Sequence, residues 1–370
     1  MFAQGEMIVD GCRLRDAMLA GLCRRWFLVS AFALVACSPE APGSVSQDTQ
    51  KAEEPSPSDV SRLEDAIRRA MEWMATIDVH PIRLREEKGM KGIKHLVEYL
   101  DFHYLAYRAS VDPQIKAASR KHAMDLLRVT EEGGYHNLAS VDDGRFRQDS
   151  MSYLRACWLA EQFEFETTRY RREIEKVLPR IYRHLPTRGV DQRMGFALLF
   201  RQLGYSRPET QEQIYPESLI ANHQPVSYYF RSPDRPYDLT HEVFNMTERG
   251  ARPFPFPSPA DERYAKGMVR RLLNHYVGQG NLDLTGEFLV NLVELGEARS
   301  AVAHEAQEFI YRGQNRDGSF GTYEKEALAM RIRNPRYDVR IGGNLHTTMV
   351  CIWALVEMDA RDRRSGRPSP

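Results

Sequence analysis

The chain has 370 residues, 42% hydrophobic and 28% charged, enough apolar side chains for one large core or two modest ones. Its 51 basic and 51 acidic residues cancel, which argues against nucleic acid, or an anionic membrane surface bound through bulk charge. Partners must therefore be argued from sites.

The N-terminal stretch reads as an export and anchoring signal. Arg24-Arg25 precede an apolar run from Trp26 to Val35, which is too short to span a bilayer, since that takes about 20 residues. The following Leu34-Val35-Ala36-Cys37 resembles the lipobox of bacterial lipoproteins, and the resemblance implies cleavage before Cys37 and lipidation of that cysteine. Glu6, Asp10 and Asp16 are foreign to the basic start of a signal, so translation is expected to begin at Met18. Ser38, rather than Asp, follows the cysteine, and by analogy with enteric lipoproteins this implies an outer-membrane protein facing the periplasm. Residues rich in Ser, Pro, Glu and Ala then form a tether with too little apolar surface to fold. The expected organisation is a signal over 1–36, a disordered tether over 37–58, a helical domain over 59–360 and a disordered tail over 361–370. The lipid is the expected membrane contact. Cys157 and Cys351 fall in apolar helical patterns and read as buried free thiols, a disulfide being the alternative in an oxidising compartment.

From Asp59 onward the apolar residues recur at helix period, with no alternating strand, so the class is all-α. Ser58 or Asp59 is expected to cap a first helix ending near Asp78, followed by helices over 92–108 and 113–130. Residues 131–145, with Gly133-Gly134 and Asp142-Asp143-Gly144, read as a long connection. Helices are then expected over 149–163, 168–184, 190–203, more weakly 210–221, and 234–248. Pro253-Phe254-Pro255-Phe256-Pro257 reads as extended chain. Further helices follow over 259–275, 282–295, 300–311 and 345–358, about twelve in all. Six helix pairs in a ring, an (α/α)6 toroid, is the expected arrangement, with an open solenoid as its rival.

Gln314-Asn315-Arg316-Asp317-Gly318-Ser319-Phe320 is similar to the Gln-x-x-x-Gly-x-Trp repeat of terpene cyclases and protein prenyltransferases, with Phe320 in the aromatic place. In those families the repeat ends an outer helix and turns into an inner one, so the resemblance implies the ring. The closing segment from Leu345 to Leu355 also resembles the last inner helix of such toroids. Together with Thr240-His241-Glu242-Val243-Phe244 and Asp283 to Glu287, it resembles uncharacterised bacterial toroid domains, from which no activity carries over.

Four ionisable residues stand out because they interrupt apolar helices: His241, Asp283, Glu287 and His346. At about 100° per residue, Asp283, Glu287, Asn291 and Glu294 fall in one narrow stripe of a helix that is apolar elsewhere, as an inner helix facing a wet hollow requires. His241 shares a face with Phe244, Asn245 and Glu248, while Glu242 points away. The blander reading is a histidine satisfied by the backbone or Glu248, and capping or packing for His346. We expect the four to converge at one end of the ring.

In prenyltransferases the closing-helix histidine joins an Asp-x-Cys pair on zinc. Here the pair would be Asp283-Leu284-Thr285, without the cysteine. A zinc site built from His241, Asp283 and His346 is the remaining metal expectation. His241 to Asn245 does not complete a zinc-protease helix, and Asp142-Asp143-Gly144-Arg145-Phe146 does not complete a diphosphate-metal motif. A polar central pocket for a small molecule, peptide or glycan end is the leading expectation. The alternatives are an envelope glycan hydrolase or lyase using Glu287 or Asp283 with His241, and a protein-binding scaffold. A glycosidase would need a further acid such as Glu242 or Asp317, because Asp283 and Glu287 sit one turn apart.

Overall fold

A computed structural model describes residues 57–365. The expected signal, Cys37 and the expected tether up to residue 56 lie outside the described residues. Within them the chain forms fifteen α-helices and no strand, as the helix period requires. They are α1 (Pro57–Met74), α2 (Pro81–Glu86), α3 (Gly92–Ala109), α4 (Pro113–Thr130), α5 (Asp143–Gln162), α6 (Thr168–His184), α7 (Val190–Leu203) and α8 (Gln211–Ile214). After these come α9 (Val226–Tyr229), α10 (Arg235–Met246), α11 (Pro259–Gly278), α12 (Leu282–Glu294), α13 (Ala301–Arg312), α14 (Lys325–Arg333) and α15 (His346–Ser365). No helix among the described residues is long and apolar enough to cross a membrane.

Several helix starts follow from one polar side chain. Asp112 accepts the Gln114 N–H ahead of Pro113, Ser258 accepts that of Asp261 ahead of Pro259, and Asn281 and Ser300 cap α12 and α13 in the same way. Asp142 is a cap too, accepting the Arg145 N–H at 2.9 Å, so α5 begins at Asp143 within what reads as loop. The first helix begins earlier than expected, at Pro57, and ends at Met74. Residues 210–221 do not make one helix: α8 gives way at Tyr215-Pro216-Glu217 to a 3-10 turn, because Pro216 has no N–H for a longer ladder. α2, α9 and α14 were not expected; the first two are six and four residues long, and the third carries most of its apolar side chains outward.

The helices pack in a closed circuit. α3 lies against α5, α5 against α7, α7 against α10, α10 against α12, α12 against α15, and α15 returns to α3. Others back this circuit: α4 on α3, α6 on α5, α8 on α7, α11 and α13 on α12, and α1 on α15. The circuit helices are the more buried. In α12 every residue from Asp283 to Glu294 is buried, whereas its backing helix α13 buries three.

The segment after α13 joins the two ends of the chain. Gln314 Nε2 donates to the Gly318 carbonyl within its own turn at 2.9 Å and to the Ala66 carbonyl of α1 at 3.0 Å. It therefore ties the turn to α1 rather than capping the end of α13. Gly318 has φ +94°, and a Cβ there would sit 2.0 Å from the Arg69 carbonyl oxygen, so glycine serves both the turn and the close approach. Phe320 is buried, and its N–H donates to Thr348 Oγ1 of α15 at 2.9 Å.

Cys157 and Cys351 are both buried and unbonded, which excludes the disulfide between them.

Candidate functional site

α12 and α15 approach closely because Gly286 faces Val350: a Cβ at Gly286 would meet Val350 Cγ1 at 2.7 Å. This contact brings the first turn of α12 beside the start of α15, where Asp283, Glu287 and His346 come together. His346 Nε2 lies 3.2 Å from Glu287 Oε1 and 3.7 Å from Asp283 Oδ1. One donor atom from each of the three residues falls within 4.8 Å of the other two.

Neighbours hold both carboxylates. Asp283 accepts from Tyr237 Oη at 2.6 Å on Oδ2 and from Thr347 Oγ1 at 3.0 Å on Oδ1. Glu287 Oε2 accepts from the Thr240 hydroxyl. The other ring nitrogen of His346, Nδ1, is 3.1 Å from Glu98 Oε1 of α3, at ion-pair distance but off the line of a hydrogen bond. Glu98 also meets Lys94 Nζ at 3.2 Å and His95 Nδ1 at 2.9 Å.

These contacts set the charges. Burial opposes the charged form of His346, but Asp283, Glu287 and Glu98 outweigh it and raise the imidazole well above its ordinary value. Burial likewise pushes Glu98 up, and Lys94, His346 and His95 overcome it, holding that carboxyl well below the usual range. Glu287 is lowered too, its burial being outweighed mainly by His346 and by His241. The cluster is thus an imidazolium among three carboxylates.

It opens on a cavity of about 650 Å³ lined by all four residues singled out in the sequence: His241, Asp283, Glu287 and His346. His241 stands apart from the other three. Its side chain is 43% exposed, and its Nδ1 lies 3.6 Å from Asp191 Oδ2. Glu248 does not satisfy it, being paired with Arg201 and Arg252. Glu242 does point away, accepting the Leu219 N–H at 2.9 Å, and burial lifts its carboxyl to about 8. Asp317 is a turn residue, accepting the Ser319 N–H. The stripe on α12 is only half a site. Asn291 and Glu294 lie beyond the cavity and are used in packing against α10, where Asn291 Nδ2 donates to the Thr240 carbonyl and Glu294 accepts from Thr247.

Three parts of the site were missed in the sequence. Glu98 and Lys94 are the first; their signal is a polar row Lys94, Glu98, Asp101 at helical spacing on a helix with twelve buried residues. The second is Arg249, half-buried at φ +58° directly after Glu248 at φ +55°. A non-glycine pair in this region is strained. Arg249 lies over the Trp353 ring and 3.8 Å from Asp101, whose main partner is Arg155 at 2.5 Å. Burial and Arg155 lower its guanidinium to about 10. The third is a basic annex of about 630 Å³, sharing His241, Asp191 and Arg249 with the first cavity and lined by Lys91, Arg147 and Arg188. Arg147 donates to Thr187, and Arg188 to Ser150 and Gln192; neither is ion-paired with a carboxylate among the described residues. Arg188 Nε is buried without a partner, and burial together with Arg147 lowers its guanidinium.

The fold and site define an all-α protein in which the packed helices border an acidic cavity and, beside it, a basic annex. Residues 65–356 match the model of a family described as a domain of unknown function, DUF6895, and the chain belongs to that family. No curated protein and no solved structure matches the chain.

Proposed function

We propose that the protein is lipid-anchored at Cys37 in the cell envelope, on the periplasmic face of the outer membrane, and that an α/α toroid takes up an anionic small molecule, peptide carboxylate or glycan end. The closed helix circuit, with its backing helices outside, supports the toroid reading. One observation carries the ligand class. Arg147 and Arg188 face a shared annex with no carboxylate partner, beside a cavity whose other end already holds its own charges in check. Unpaired, half-buried guanidinium groups are costly unless an anion completes them, and their planar forks suit carboxylate.

Thermal denaturation of the full chain with millimolar glucuronate and with N-acetyl-alanyl-alanine, against glucose as neutral control, tests this reading. The expected result is a rise in Tm with a carboxylate probe that vanishes in Arg147→Gln/Arg188→Gln. No rise with either carboxylate, or a rise unchanged in the double variant, overturns it. For the anchor, Cys37→Ser is expected to move the protein from the membrane to the soluble fraction.

Hydrolysis of envelope glycan is the second reading, favoured by His241 and Asp191 facing the same cavity as Glu287. Glu287 would then act ionised, as nucleophile or base, because His346 keeps its pKa low, the wrong state for a general acid. The scaffold reading draws on Leu328, Met330 and Ile332, exposed on α14.

A further inference from the structure

Each of the three converging side chains has one donor atom set against a neighbour and another turned inward. Tyr237 occupies Asp283 Oδ2, Thr240 occupies Glu287 Oε2, and Glu98 faces His346 Nδ1. The inward atoms are Asp283 Oδ1, Glu287 Oε1 and His346 Nε2. From these contacts we infer that Asp283, Glu287 and His346 bind a divalent transition-metal cation of the zinc or manganese class, which displaces the proton of His346 Nε2 to solvent as it binds, with Glu98 as the carboxylate that orients the histidine.

The spacing suits such an ion. Metal–ligand bonds of about 2.0–2.2 Å place tetrahedral donors roughly 3.4 Å apart. The Nε2 to Oε1 distance is 3.2 Å and the Nε2 to Oδ1 distance 3.7 Å, each within a few tenths of an ångström of that spacing, and all three donors lie within 4.8 Å of one another. Metal-binding histidines characteristically direct their second nitrogen at a carboxylate, and Glu98 Oε1 stands 3.1 Å from Nδ1. Both atoms are buried and lack an aligned hydrogen-bond partner. Asp283 Oδ1 keeps a lone pair beyond its bond from Thr347. Three protein ligands leave at least one position toward the cavity, the pattern of an open rather than a purely structural site.

The ligand set differs from the one expected in the sequence. His241 sits apart with Asp191, and Thr285, which would occupy the cysteine place of a prenyltransferase pair, does not line the cavity. The third ligand is Glu287, one turn beyond Asp283.

The inference deepens the cavity reading, and the two fail separately because the carboxylate probes report on Arg147 and Arg188. The full chain is dialysed against zinc and then against metal-free buffer, and bound zinc is measured by elemental analysis; cobalt(II) titration followed by visible absorption provides a spectroscopic readout. The expected result is one zinc per chain and a cobalt band of four- or five-coordinate character. Affinity is expected to fall at least tenfold in Asp283→Asn, Glu287→Gln and His346→Ala, and roughly 10–100-fold in Glu98→Gln, which keeps all three ligands. His304→Ala, on the exposed side of α13, is expected to bind as wild type. Circular dichroism checks that each variant folds, and Glu98→Gln keeps the test decisive if His346→Ala does not. Sub-stoichiometric zinc in the wild type, or zinc retained with wild-type affinity in Glu287→Gln and Glu98→Gln, overturns the inference.

Discussion

Glu98 and His346 stand on the first and last helices of the inner circuit, with Glu98 Oε1 3.1 Å from His346 Nδ1. The contact exists only because α15 returns to α3. It links the closure of the fold to the charge state of the site, since Glu98 is one of three carboxylates that hold His346 protonated.

Without added metal, His346→Ala leaves Glu98, Asp283 and Glu287 facing one another without their shared cation. A loss of about 3 kcal/mol is expected, the low end of the range for breaking a buried ion pair from one side, because the His346 side chain keeps some exposure. Glu98→Gln should cost less, because the amide oxygen can still accept from one of Lys94 and His95 and no buried charge is left unpaired at that position. Urea unfolding at pH 7 measures both, and a His346→Ala variant as stable as wild type would refute the ion cluster.

Gly286→Ala tests the approach of α12 to α15 in isolation. The added methyl would sit 2.7 Å from Val350 Cγ1, so the helices must part or the valine must turn. Overpacking of this kind costs roughly 1–3 kcal/mol. Pairing it with Val350→Ala should restore most of the loss, and a double variant no better than the single one would show that the contact does not set the spacing.

Glu294 gives the fold a pH dependence separate from the cavity. Burial, aided by Glu357 and opposed by Thr247 and Arg249, lifts its carboxyl to about 8 from an ordinary value near 4.5. A raised folded-state pKa means that this group's stabilising proton is fully present below about pH 4.5 and is lost as pH rises through 8. Glu294→Gln keeps a neutral acceptor for Thr247 and has no proton to lose. Its stability relative to wild type should therefore rise between pH 5 and pH 9, by a few kcal/mol at most. Urea midpoints of the two proteins that run parallel over this range would show that the buried proton is absent.

Burial pushes the Cys157 thiol up to about 12 and the Cys351 thiol well above its ordinary value. Neither can supply thiolate at neutral pH in the folded protein. Of these two, both should resist a thiol reagent until denaturant is added and then react together with unfolding. Fast labelling of either in the native protein would contradict the packing around it.

Helix class was legible because apolar residues from Leu63 onward recur at spacings of three and four, a pattern that survives errors at helix ends. Those errors were local: Asp142 looks the same in a loop and at a cap, and Pro216 splits a segment whose composition reads as helix. Asp283 and Glu287 were visible because acids are conspicuous on so apolar a helix. Glu98 was not, since Lys94 and Glu98 on α3 resemble the i,i+4 pair of any solvated face. Arg147 and Arg188 sit near helix starts, with no periodic pattern to mark the annex they share. Such groups acquire meaning when several helices meet, and no single stretch of sequence carries that information.

The turn at Gln314 has a consequence for the order of events during synthesis. Because it clips α1 to the segment leading into α15, and because His346 and Thr347 arrive with that last helix, a nascent chain can build most of its helices yet hold no finished binding site. On the readings proposed above, ligand or metal capture would wait until the far end of the chain has emerged and docked, a slow step governed by long-range contacts.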